Sequence, residues 1–197
     1  MRLETTTREL YTFEELSDNA KEKAIEKLCD MNVDYEWHEF VYEDSIEIAR
    51  LFGLDISEIH YSGFWSQGDG ACFKGRYEYK KDALKAIKEY APTDTELHDI
   101  VSRLQWAQAA NFYRVTCTAK HSGHYYHSGC MTVDCENAED CYRTVINEDE
   151  FIQALRDFAD WIYKQLETEY NYLTSETAII ETIKANKYEF TKEGKLV

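Results

Sequence analysis

Residues 71–79, ACFKGRYEY, alternate between two kinds of side chain: Ala71, Phe73, Gly75, Tyr77 and Tyr79 on one side, Cys72, Lys74, Arg76 and Glu78 on the other. A period of two is the signature of a strand with one buried face, and such a strand cannot stand alone: it needs strand neighbours and a layer to cover its apolar side. The segments around it keep a different period. Ala24, Ile25, Leu28 and Cys29 predict a helix over 18–31, capped by Ser17 and stapled by Phe13 and Leu16. Trp37, Phe40, Val41, Ile48, Leu51 and Phe52 predict a second helix over 35–52, ended by Gly53. Further helices are expected over 81–90, from Asp94 to residue 110, over 149–172, and from Thr174 or Ser175 to Asn186. The helix after Asp94 turns Leu97, Ile100, Val101 and Leu104 inward, with Trp106 a further candidate for the core. The sequence shows neither a repeat nor a low-complexity linker. Helical and strand periods interleaved in this way predict one α+β domain over 1–197, with helices packed on an antiparallel sheet.

Two more sheet segments are predicted beside 71–79: a short strand within 54–62 and a β-hairpin over 112–134. A three-residue turn at Ser122-Gly123-His124 sets Tyr113, Val115, Cys117 and Ala119 opposite Val133, Met131, Gly129 and His127, separating apolar from polar residues. The strands are then 112–120 and 125–134. Residues 135–149, acidic and irregular, read as an exposed loop, and 187–190 as a short edge strand.

Composition limits the function. Asp and Glu outnumber Lys and Arg by 38 to 22, a formal charge of −16. Phosphate recognition depends on clustered cations, so direct nucleic-acid binding and adhesion to an anionic membrane are not expected. No apolar run suggests a signal segment or a membrane anchor, which predicts a soluble, cytoplasmic protein. In that compartment the six cysteines are expected as reduced thiols.

Three stretches attract functional readings. The segment SGFWSQGDGACFKG holds Gly63, Gly68, Gly70 and Gly75, half of the chain's eight glycines. Such a loop either is a bulged strand whose tryptophan fills the core, or presents Trp65, Gln67 and Asp69 to a partner. Between Cys29 and Arg50 there is no Lys or Arg, and Glu39, Glu43 and Glu47 recur on one helix face. These acids are a solvated face or a docking surface for a basic partner. His121, His124, His127, Cys130, Cys135 and Cys141 crowd one region. On a regular strand His127 and Cys130 point to opposite faces, and no pair has a zinc-knuckle spacing, so no metal site is assigned. No phosphate loop, zinc-protease helix, nucleophile elbow or calcium loop is present, and no catalytic residue or cofactor is assigned.

Four stretches carry a resemblance: ELYTFEELSDNAKEKAIEKL near the start, SGFWSQGDGACFKGRYEY in the middle, GHYYHSGCM in the hairpin and IKANKYEFTKEGKL at the end. Together they resemble a family of uncharacterised proteins from tailed-bacteriophage genomes, some of them labelled as antitoxins of toxin–antitoxin systems. The resemblance implies a phage accessory protein in the bacterial host cytoplasm, acting in counter-defence by non-catalytic binding to a host or phage protein. A basic nucleic-acid-binding protein is one such target, with the chain's carboxylates in the place of phosphates. The alternative is a small enzyme using His121, His124 or His127 as a general base.

Overall fold

The computed structural model describes residue 2 and residues 7–138 and 144–197. Cys141 and part of the predicted acidic loop at 135–149 lie outside the described residues. The architecture is α+β, built from helices and antiparallel sheets. It divides into two compact units, Met1–Trp37 with Thr168–Val197, and His38–Glu167. Among the described residues no helix is long and apolar enough to cross a membrane.

The first unit joins the two ends of the chain. Strand β1 (Tyr11–Thr12) pairs antiparallel with β6 (Glu189–Phe190), setting Tyr11 opposite Phe190. Helices α1 (Asp18–Lys27) and α6 (Glu176–Ala185) bring Ala20, Ala24, Ile179 and Ile183 against Phe13, Leu16 and Phe190, the staple residues and the edge strand read from sequence. Phe13 meets Phe190 edge-on, ring centres 6.2 Å apart. Buried Asn32 is satisfied on both sides of its amide: Nδ2 donates to the Leu173 carbonyl and Oδ1 accepts from Thr182. A buried amide left unpaired there would cost about 1–3 kcal/mol.

The second unit carries a four-stranded antiparallel sheet in sequence order: β2 (Leu54–Tyr61), β3 (Ala71–Glu78), β4 (Val115–His121) and β5 (Met131–Asn137). The alternation of 71–79 holds in the strand's second half, with Phe73 and Tyr77 buried and Arg76 and Glu78 exposed, but not at its start, where Cys72 is fully buried along with Ala71. Helices α2 (Glu39–Leu51), α3 (Ala83–Tyr90), α4 (Thr95–Ala110) and the first part of α5 (Glu148–Leu173) complete this unit. Phe158 of α5 is central to the packing, edge-on to Phe52 and Phe73 and stacked on Trp161. Asp94 caps α4 by accepting from Leu97 N at 2.9 Å, and its other oxygen accepts from Trp161 Nε1. The sheet's other face carries charge pairs, Lys74 with Glu58 and Lys120 with Asp134, although Cys72 and Thr116 on it are buried.

Several sequence expectations are corrected. Helix α2 starts at Glu39, and Phe40, placed inward by the periodicity, is 74% exposed; Trp106 is likewise outside at 59%. At about 100° per residue, Trp106 falls on the face of α4 opposite the buried Leu97, Ile100, Val101 and Leu104, and Phe40 falls beside exposed Glu47, away from the buried Val41, Ser45, Ile48 and Ala49 of α2. Residues 112–114 are not strand: Phe112 and Tyr113 take positive φ where the chain reverses after α4. The predicted turn would set Cys117 opposite Gly129, but β4 and β5 pair Cys117 with Cys135, six residues further on (135 − 129 = 6). Residues 125–130 are therefore not strand, and 135–137 belong to β5 rather than to an exposed loop. A register displaced by an even number leaves every side chain on its own face, so alternation alone could not distinguish the two. The new register also overturns the expectation of reduced thiols throughout. Cys117 and Cys135 stand directly opposite, Cα atoms 4.1 Å apart, and are joined as a disulfide.

Candidate functional site

The two unusual loops of the sequence meet. One, residues 62–70, connects β2 to β3; the other, residues 122–130, connects β4 to β5 and closes in a 3₁₀ turn at Ser128–Cys130. Glycine makes the approach possible. A Cβ at Gly70 would stand 2.6 Å from both Cα and Cβ of His127, and one at Gly68 would touch the Tyr125 ring. Gly70 is thus explained by a neighbouring loop, which a single segment of sequence cannot reveal, whereas Gly68 is required by its own left-handed backbone, φ 94°.

The first loop is held from beneath. Phe64 stacks between Tyr61 and Tyr163, with ring centres 5.8 and 5.5 Å away, and the Tyr163 hydroxyl donates to the Gly63 carbonyl. Asp69 fixes the turn, its Oδ2 accepting from Trp65 N at 3.0 Å and Ser66 N at 2.6 Å. Asp69 is therefore a scaffold of the loop, whereas Trp65 is 78% exposed and Gln67 is exposed beside it. Trp65 does not fill the core. Tyr125, 64% exposed, comes from the other loop, against Gly68. An aromatic network runs from the loop's base to α2: Tyr61 lies edge-on to Tyr42, and His38 packs against both rings. Burial raises the Tyr42 hydroxyl well above its ordinary range, keeping it neutral.

Glu39, Glu43 and Glu47 sit where the sequence placed them, exposed on α2. Glu47 is paired with Arg50 at 2.6 Å, and between Glu43 and Glu47 Asp44 accepts from the Tyr90 hydroxyl.

The histidines divide by role. His121 donates from Nε2 to the Tyr125 carbonyl, 2.8 Å away, so that nitrogen carries a proton and holds the loop. His60, Tyr126 and His121 pack on one another, His60 and Tyr126 nearly parallel at 5.3 Å. His124 is exposed at the tip. His127 is different: its Nε2 lies 3.2 Å from Cys130 Sγ. Strand geometry would have separated these two side chains; the 3₁₀ turn brings them together. Buried Cys72 lies close enough for the Cys130 sulfur to act on it; burial first, and that neighbour second, push its thiol up to about 12. Asp160 of α5 accepts from Ser128 in the same turn, and its carboxyl is raised chiefly by burial. Among the described residues no three His, Cys, Asp or Glu side chains converge as a metal ion would need.

Both loops, the sheet and helices α2 to α5 fall within residues 37–176, which match a family described as a domain of unknown function, DUF8835. The chain belongs to the DUF8835 family. The DUF8835 match covers well over half of the chain and takes in every candidate residue named so far. No curated protein and no solved structure matches the chain. The DUF8835 assignment brings no activity with it, so the residues of the two loops carry the functional argument alone.

Proposed function

We propose that the protein acts by binding another protein through the surface formed by the 62–70 and 122–130 loops, without catalysis. One observation carries this reading: Trp65 stands exposed on a turn that Asp69, Phe64 and Tyr163 hold in place. A large aromatic side chain presented by a rigid loop loses little conformational freedom on contact and buries much apolar area, the properties of a binding anchor. Tyr125 extends the same apolar surface and Gln67 supplies a polar edge. The resemblance to tailed-phage proteins supports a host protein as the partner and counter-defence, as an inhibitor or antitoxin-like factor, as the purpose, in the cytoplasm of an infected bacterium. The test is affinity capture from infected cells with the wild-type chain and with Trp65→Ala. The exposed position makes a folding defect unexpected. A host protein retained by the wild type and lost with Trp65→Ala supports the reading; equal retention by both overturns it.

A second reading, a small enzyme with a histidine base, is favoured by the 3.2 Å approach of His127 to Cys130. On that reading His127 would be the base, since the corresponding nitrogen of His121 donates to a backbone carbonyl. Turnover that survives Trp65→Ala and disappears with Cys130→Ser would favour it.

A further inference from the structure

We propose that Cys130 is a reactive thiol, with His127 as the base that takes its proton, and that the site is modified by small-molecule disulfides. This inference does not depend on Trp65 and rests on the turn at 127–130, within the second of the two loops, and on its contact with Gly70. Three features build the pair. The Cys130 amide donates to the His127 carbonyl at 2.9 Å, closing the turn so that the two side chains share one side of it. His127 is held from behind by Gly70, where even a methyl group would collide with its Cα and Cβ. Gly129, between the two residues, leaves space for the imidazole: a Cβ there would press on Nδ1 at 3.1 Å and Cε1 at 3.2 Å. The ring is thereby aimed at Sγ, within the distance at which a positioned base serves a nucleophile.

Access distinguishes Cys130 from the chain's other free cysteines among the described residues. Cys72 is fully buried and its thiol is pushed up to about 12, so it stays protonated and shielded. Cys29 is exposed in the first unit, an internal reference for an unassisted thiol. Cys130 lies between them, partly open to solvent and beside a base.

The reaction is an exchange. As Cys130 Sγ attacks one sulfur of the incoming disulfide, its proton passes to His127 Nε2. A new S–S bond forms between Cys130 and that sulfur while the original S–S bond breaks. The departing sulfur leaves as a thiolate and takes the proton back from the imidazolium. The incoming disulfide is the oxidant, consumed one for one, and the product is Cys130 carrying a mixed disulfide.

The experiment exposes the native full-length chain to oxidised glutathione at neutral pH and follows each cysteine by peptide mass mapping. Cys130 is expected to be modified at least about tenfold faster than Cys29, despite being less exposed, as assistance by a placed base requires. His127→Gln, close in size but unable to act as a base, should bring Cys130 to or below the Cys29 rate and leave Cys29 unchanged. Gly129→Ala, which displaces the ring, should slow Cys130 in the same direction. A wild-type Cys130 no faster than Cys29 overturns the proposal whatever the variants do. So does a Cys130 rate that His127→Gln leaves unaltered. Modification of Cys72 in a variant would reveal loss of fold; the wild-type ratio, which needs no variant, then decides.

Discussion

A methyl group added at position 70 would fall within 2.6 Å of the His127 backbone, and neither loop can retreat without giving up a fixed turn. Gly70→Ala is therefore expected to destabilise the protein by about 1–3 kcal/mol, the usual cost of overpacking, read as a lower denaturant midpoint. It should also slow modification of Cys130, because the ring it displaces belongs to His127. Asp160 makes the opposite case, a native residue that costs stability at neutral pH. Its carboxyl is raised, first by burial and then by neighbouring charge, against a hydrogen bond from Ser128 that lowers it. A folded pKa above the unfolded one means that the protonated form favours folding. That contribution is complete below the unfolded pKa and is lost as pH rises through the folded one. Asp160→Asn keeps an acceptor for Ser128 and removes the charge. Urea unfolding should show it more stabilising at pH 7 than at pH 4; equal effects at both would show that burial does not govern this carboxyl.

At the scale of elements, residues whose periodicity stands alone were the legible ones. The strand at 71–79, the helix opening at Asp94, the long helix through Phe158 and the short edge strand near the C-terminus all follow from spacing and caps. What spacing cannot carry is which residue faces which. The β4–β5 hairpin kept its faces and lost its predicted register, because a displacement of six residues is even. The candidate site lay in the part that could not be read. Trp65, Gln67 and Asp69 were visible as a glycine-rich loop, yet the reason for Gly70 is a segment some sixty residues away, which one local pattern cannot contain. Cys130 and His127 were separated by assuming a strand where the chain makes a 3₁₀ turn. The register itself is open to test through Cys117 and Cys135. Peptide mapping without reductant should recover these two linked. Because the bridge links residues 18 apart in sequence, its reduction should cost about 3 kcal/mol on the chain-entropy scale. A linkage of Cys117 to any other cysteine would displace the register.

Over the whole molecule, a charge of −16 acts on any partner before a loop touches it. Two modes of recognition differ in how they use it. If Glu39, Glu43 and Glu47 stand in for phosphates on a basic target, attraction between exposed charges supplies most of the affinity. Such attraction fades once separations exceed a screening length of about 8 Å at physiological salt. If Trp65 is the anchor, the energy lies in apolar area removed from water, which salt does not weaken. The structure leaves the three glutamates solvated, with Glu47 already paired to Arg50, whereas the Trp65 turn is fixed by hydrogen bonds and stacked rings. An anchor that is ordered in advance forfeits less on binding than long exposed side chains do. For a captured partner, the expectation is an affinity that changes less than about tenfold between low and high salt, and that tolerates charge reversal at Glu39, Glu43 and Glu47. Trp65→Ala should cost at least about 2 kcal/mol of binding energy, as buried aromatic anchors do. Titration calorimetry at two salt concentrations measures all three effects; steep salt dependence together with indifference to Trp65→Ala would transfer recognition from the loops to the acidic face of α2.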